Sequence, residues 1–232
     1  MTPVNKQPAV APPPAGELKH ITYYLDFISP YAYLAFELLP ETLKDLSYSV
    51  SYKPVLFAGM LKHYGQLGPA EIAPKRDWTY RQVLWLAHRH GIALQMPASH
   101  PFSPLLLLRL ALACSPEAEP ASPNRYVCET IFRHVWQGGG EAVDPQRFDS
   151  LLQHLAPRRE MQVDAVKAQL KANTEEAIAV GVFGVPAFAV DGKLFWGLDA
   201  LPMLRDYLHG EAWFSGPGWD GVSSVLTGIR RQ

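Results

Sequence analysis

The residue types best suited to nucleophilic or redox chemistry are scarce in this chain. Only two cysteines occur, Cys114 and Cys128, on two different helical patterns. Their spacing fits neither a C-x-x-C redox pair nor a zinc-ligand set, and a disulfide framework needs more thiols. Free cysteine is usually buried, so both read as packing residues. A hydroxyl is better placed. Ser29 stands between an alternating apolar run and an amphipathic one, directly before Pro30. Serine at an N-cap accepts a hydrogen bond from the first helical turn, and proline suits the first helical position because its missing N–H would be unpaired there. Taken alone, the pattern describes an ordinary helix cap. Asp199 is likewise placed to cap a later helix, and Val185-Pro186 precedes a short β-prone run.

The elements that position these residues follow from periodicity. Lys19 to Phe27 puts Ile21, Tyr23, Leu25 and Phe27 at alternate positions, which predicts a strand with one apolar face. Leu34, Ala35, Leu38 and Leu39 supply the inward stripe of the helix that Ser29 caps, and Tyr48, Val50 and Tyr52 mark a second strand. A strand-helix-strand passage implies a parallel pair with a right-handed crossover. From Phe57 to about Val180 the strand signal disappears, and helices are expected near 57–64, 76–90, 103–114, 124–137, 145–155 and 162–179. Three prolines between Ser115 and Pro123 make that stretch a loop. Asp191-Gly192 between two short β-prone runs is a hairpin signal, and Leu201, Leu204, Tyr207 and Leu208 form the inner side of a last helix ending at His209. From Glu211 onward Trp213, Phe214 and Trp219 occur without a clear period.

Composition bounds the rest. With 232 residues, 48% of them hydrophobic, the chain can bury one sizeable core or one core carrying a large insertion. A formal net charge of -1 gives no overall field for nucleic acid or an anionic membrane. The longest apolar run, Leu105 to Cys114, is broken by Arg109 and falls far short of the ~20 residues that span a bilayer. Met1 to Glu17 is rich in proline and alanine and lacks the apolar core of a secretion signal, so it reads as a disordered tail on a cytoplasmic protein. The order β-α-β, helical block, β-β-α divides the chain into a tail (1–18), an α/β domain (19–56 and 181–210), a helical insertion (57–180) and a C-terminal extension (211–232).

That order is similar to a thioredoxin-like fold with a large all-helical insertion, as in the DsbA-like branch. The stretch YYLDFISPYAYLA (Tyr23 to Ala35) resembles the N-terminal signature of 2-hydroxychromene-2-carboxylate isomerases and of kappa-class glutathione transferases. FGVPAFAVDGKLFWGLDAL (Phe183 to Leu201) resembles their second signature, which contains a cis-proline and a glutathione-binding loop. The intervening KPVLFAGMLKHYGQLGP and KRDW match the family more loosely. A dithiol oxidoreductase needs two thiols at the helix start, because exchange passes through a mixed disulfide. Here the four positions are Ser29, Pro30, Tyr31 and Ala32, so the thiol must come from outside.

The resemblance implies glutathione as that thiol, with Ser29 as the catalytic residue that hydrogen-bonds the sulfur and favours the thiolate. It further implies a glutathione site built from Ser29, Val185, Pro186, Trp196, Gly197, Leu198 and Asp199. Leu198 and Ala200 stand where the family pattern has Asn or Ser and Arg, which removes two side-chain contacts. For an aromatic substrate bearing a carboxylate, Lys62, Gln66, Lys75, Arg76 and His100 are candidate polar contacts, with Tyr31, Phe57 and Trp85 as an apolar wall. The implied reaction is isomerisation of 2-hydroxychromene-2-carboxylate or a similar unsaturated aromatic pyruvate by reversible thiolate addition, bond rotation and elimination. It needs no metal, since the enone itself stores the charge. A homodimer is expected from the relatives. Two other readings use the same site: a kappa-class-like transferase or peroxidase, and a non-catalytic protein that binds glutathione or a peptide.

Overall fold

A computed structural model describes residues 18–225 together with 228; the expected N-terminal tail, apart from Leu18, lies outside the described residues. The chain opens with strand β1 (Lys19–Leu25), helix α1 (Pro30–Thr42) and strand β2 (Tyr48–Pro54). Six helices follow: α2 (Phe57–Tyr64), α3 (Ala73–His90), α4 (Leu105–Ala113), α5 (Arg125–Trp136), α6 (Pro145–Leu155) and α7 (Asp164–Ala179). Strands β3 (Ala187–Val190) and β4 (Lys193–Trp196) and helix α8 (Leu201–Leu208) then complete the order. The four strands form one sheet in the order β2-β1-β3-β4. β1 runs parallel to β2 and antiparallel to β3, and β3 pairs antiparallel with β4. This is the mixed sheet of a thioredoxin-like fold.

The alternation along β1 has its expected consequence. Ile21, Tyr23, Leu25 and the following Phe27 enter a core shared with α1, α4 and α5, whereas Tyr24 enters a second cluster with Met60 of α2 and Ala177 of α7. The sheet is thus covered on both faces. The Asp191-Gly192 turn has φ values of 49° and 75°, the two left-handed residues that a tight hairpin between right-twisted strands requires. Pro40 lies inside α1 and cannot donate to the Phe36 carbonyl; Arg125 approaches that oxygen at 3.5 Å and stacks on the Phe36 ring.

Two expectations shift. α3 begins at Ala73 rather than Arg76, with Pro74 accommodated in its first turn. Asp199 does not cap α8: the chain enters through a 3₁₀ turn, Leu198–Ala200, that places Asp199 within the turn and Ala200 at the N-cap. The aperiodic C-terminal stretch has a packing role. Phe214 and Trp219 close over Phe195 and Tyr207, with the Lys193 ammonium above the Trp219 ring. No helix among the described residues is long and apolar enough to cross a membrane.

Trp136 is fully buried at the end of α5, and its indole N–H donates to the Phe27 carbonyl at 3.0 Å. Trp136→Phe should therefore lower the unfolding free energy by ~1–3 kcal/mol, because a buried carbonyl loses its donor. Urea denaturation checks this, with Leu84→Ala on the exposed side of α3 as the control, expected to stay within ~0.5 kcal/mol of the parent.

Candidate active site

Ser29 ends the short turn between β1 and α1 and is only 8% exposed. Its extended backbone (φ -89°, ψ 115°) makes it the N-cap, and its Oγ accepts from the Ala32 N–H at 3.2 Å. The hydroxyl proton points across the fold to the Val185 carbonyl, 3.4 Å away. That is a long contact for O–H···O, where 2.7–2.8 Å is usual, so it yields readily to a stronger acceptor. Pro30 has no N–H, and the Tyr31 N–H makes no hydrogen bond among the described residues. One hydroxyl donor and one N–H at the positive end of α1 thus face the same place.

The turn itself is held from several sides. Asp26 is fully buried; its Oδ1 accepts from the Ile28 N–H at 3.1 Å and its Oδ2 from the Phe57 N–H at 2.9 Å. The Ser29 N–H donates to the Asp26 carbonyl at 3.1 Å. The Ile28 carbonyl is met by His100 Nε2 at 2.8 Å, and His100 Nδ1 lies 2.7 Å from the Tyr80 hydroxyl of α3. The ring of His100 also packs 5.6 Å from that of Trp136.

Opposite Ser29, the Val185-Pro186 peptide is cis. The Gly197 N–H donates to the Pro186 carbonyl at 2.9 Å, which ties the 196–199 loop to the cis-proline. Trp196 is half exposed, packs at a tilt against Phe183 with centroids 4.6 Å apart, and lies so close over Gly184 that a Cβ there would sit 2.7 Å from its Nε1. The Val185 N–H makes no hydrogen bond among the described residues. The Asp199 carboxylate is near enough to Tyr31 to push its phenol pKa up, in addition to the larger effect of burial. The structure therefore gathers Ser29, Val185, Pro186, Gly197 and Asp199 around one end of α1, with Trp196 at the edge. Leu198 turns inward against the main core.

The residues drawn from the helical block are dispersed. Lys62 is exposed and lines a separate cleft of about 580 Å³ with Arg109, Lys167 and Thr174. Gln66 and Lys75 are exposed and make no hydrogen bond with the Ser29 turn, Val185-Pro186 or the 196–199 loop among the described residues. Trp85 stands outward, 54% exposed, under the Arg89 guanidinium. His100 does reach the site, but both ring nitrogens are occupied by protein groups, so a substrate contact through the ring would displace one of them. Tyr31 is anchored by Gln82, which accepts from its hydroxyl at 2.6 Å. Cys114 and Cys128 are buried, and burial pushes both thiols up, Cys114 to about 11. Among the described residues no group of three His, Cys, Asp or Glu side chains is placed to hold a metal.

Residues 20–209 match the DsbA-like thioredoxin domain. The chain belongs to that family. Within it, the chain is 28% identical over 201 residues to a 2-hydroxychromene-2-carboxylate isomerase of Sphingobium xenophagum, covering 82% of this chain and 98% of that protein. It is 27% identical to glutathione S-transferase kappa 2 of Caenorhabditis elegans, covering 86% and 95% respectively. The solved structure of a 2-hydroxychromene-2-carboxylate isomerase superposes with a TM-score of 0.70 at 21% identity, covering 84% of this chain and 97% of that one.

For a DsbA-like chain without thiols at the helix start, the unusual ionisable group is Asp26. Burial pushes its carboxyl up to about 7 from an ordinary 3.8, against the opposing pull of the Phe57, Ile28 and Phe27 N–H groups. A carboxyl whose folded pKa is raised binds its proton more tightly folded than unfolded. Its contribution to stability is therefore present at low pH and is lost as pH rises from about 4 to about 7. Asp26→Asn removes that titration. Between about pH 4 and pH 8 the melting temperature of the variant should rise relative to the parent, the change ending above the folded pKa. Parallel thermal melts in a pH series measure it; a constant difference across the series would contradict the assignment.

Proposed function

We propose that this chain is a glutathione-dependent isomerase acting on 2-hydroxychromene-2-carboxylate or a similar unsaturated aromatic pyruvate. The observation that carries the reading is the Ser29 hydroxyl, set on the N-terminus of α1, whose proton is held among the described residues by a 3.4 Å contact to Val185. The names of the relatives support an enzyme of this class, and both the isomerases and the kappa transferases among them align along most of their own length.

The groups present fit a cysteine-containing tripeptide. The N–H groups of Tyr31 and Val185 and the Ser29 hydroxyl supply donors between α1 and the cis-proline turn, and the 196–199 loop with Asp199 supplies a place for a charged α-amino end. Bound glutathione supplies a thiolate that adds reversibly to the conjugated chain of the substrate, so that the former double bond rotates before the thiol is released. Ser29 turns its proton from Val185 to the sulfur and, with the Tyr31 N–H and the α1 dipole, favours the ionised form. Leaving Val185 costs little, because the bond given up is long. Tyr31, fixed by Gln82, supplies an aromatic ring two residues from Ser29. The half-exposed Trp196 offers an aromatic face for a fused-ring substrate.

The kappa-type transferase reading shares these early steps and differs in the fate of the thiol. With 2-hydroxychromene-2-carboxylate, turnover should require glutathione and return all of it; stoichiometric loss of glutathione would instead support transfer. Ser29→Ala should lower isomerase turnover by ~10-fold or more, the range typical of losing one positioned donor. The assay belongs well below the melting temperature, since the lost cap also costs ~0.5–2 kcal/mol of stability. Undiminished turnover in the folded variant would remove Ser29 from the reaction.

A further inference from the structure

The Ile28 carbonyl is one peptide bond before Ser29, so the direction of that peptide plane sets where the Ser29 side chain points. It is a short, half-buried contact to His100 that holds this carbonyl, at 2.8 Å from Nε2. The carbonyl can only accept, so Nε2 carries the proton, and in the neutral ring Nδ1 is left as an acceptor. The Tyr80 hydroxyl shares its one proton between Nδ1, at 2.7 Å, and the His100 carbonyl, at 2.9 Å. Three aromatic neighbours restrict the ring further: Tyr80 at 5.4 Å, Trp136 at 5.6 Å and Phe102 at 6.0 Å between centroids. On the other side, Asp26 takes the Ile28 N–H at 3.1 Å.

From this arrangement we infer that His100 is a positioning residue for Ser29, that Tyr80 fixes its ring, and that the pair sets the direction of the Ser29 hydroxyl rather than binding substrate. The inference rests on the reading of Ser29 as the donor to a thiolate. The Ile28–Ser29 peptide plane is gripped at both ends, its C=O by His100 and its N–H, that of Ser29, by the Asp26 carbonyl at 3.1 Å. Removing the His100 grip leaves an unpaired carbonyl that regains a partner by rotating toward water, and that rotation carries Ser29 with it. A donor displaced in this way loses most of its value, since such hydrogen bonds act only when aimed in advance. The residues that would hold the rest of the tripeptide lie on other elements, beyond the reach of this rotation.

The test follows from that separation. His100→Phe keeps an aromatic ring among Tyr80, Trp136 and Phe102 but removes the Nε2 donor. It should lower kcat with 2-hydroxychromene-2-carboxylate by ~10-fold, raise the thiol pKa of bound glutathione as read by ultraviolet thiolate absorbance, and leave the glutathione Kd from calorimetry within ~2-fold at acidic pH, where the protonated thiol binds. His100→Gln, which retains an amide N–H donor, should recover part of the loss. Tyr80→Phe leaves the ring and its grip on Ile28 in place and should cost ~3-fold; it serves as the second variant if His100→Phe does not fold. Combined with Ser29→Ala, His100→Phe should add no further loss, because it acts only through that hydroxyl. Full activity in folded His100→Phe, equal losses in the Phe and Gln variants, or additive losses in the double variant would each overturn the inference. If Ser29→Ala itself were fully active, the failure would lie instead with the reading of Ser29.

Discussion

A buried turn must find a partner for each of its peptide groups, and between Asp26 and Ser29 those partners come from elements far apart in the chain. Trp136 from the end of α5 takes the Phe27 carbonyl, His100 from the loop before α4 takes the Ile28 carbonyl, and the Asp26 carboxylate takes the Ile28 and Phe57 N–H groups. With these filled, the Ser29 hydroxyl is left as a donor whose proton is loosely held. The same satisfaction that makes the turn stable makes it selective about what it offers. Asp26 shows the cost. A carboxylate in a dry interior opposes folding above neutrality, and its retention is consistent with stability given up at a site where orientation matters.

The second constraint is the helix start. Dithiol chemistry uses this place in a thioredoxin-like fold because N–H groups and the helix dipole favour a thiolate there. Replacing both thiol positions with Ser29 and Ala32 removes the nucleophile and keeps the field. Both cysteines are elsewhere, buried and held protonated, so nothing in the described residues competes for the vacancy. The loop from Trp196 to Asp199, tied to Pro186, lies on the opposite side of the helix start.

Much of this architecture could be read from local pattern. The alternation of Ile21, Tyr23, Leu25 and Phe27, the Ser29-Pro30 cap and the Asp191-Gly192 turn each reflect forces acting within a few residues, and the helical block followed from apolar spacing and proline breaks. Asp199 has the residue type of a cap, but a 3₁₀ turn satisfies the same entry with backbone alone. What local pattern does not contain is who meets the turn. Asp26 is one acid in an apolar run, Tyr80 is one aromatic on an amphipathic helix, and Trp136 is one large residue at a helix end; their roles exist only when chain segments 20 to 109 residues apart converge. His100 drew notice as a polar residue beside a proline, but its neighbours and hence its occupied nitrogens are tertiary facts. The aromatic tail beyond Glu211 escaped for a similar reason, since Trp219 and Phe214 pack by shape against Phe195 rather than by period.

The strand order has a consequence for how such a protein is made. β1 finds its parallel partner within a short stretch, since Lys19 faces Tyr48, but its other neighbour is β3, where Thr22 faces Ala189. As the chain leaves the ribosome, β1 therefore carries a bare edge for the whole time that six helices are being synthesised, and a bare edge is a template for pairing with another molecule. Early packing of α1 and the nascent helices against the apolar side of β1 shields its side chains but not its backbone. The interval between the two halves of the sheet is when this molecule is most exposed to aggregation, and the helical block that holds the Ser29 turn also prolongs it.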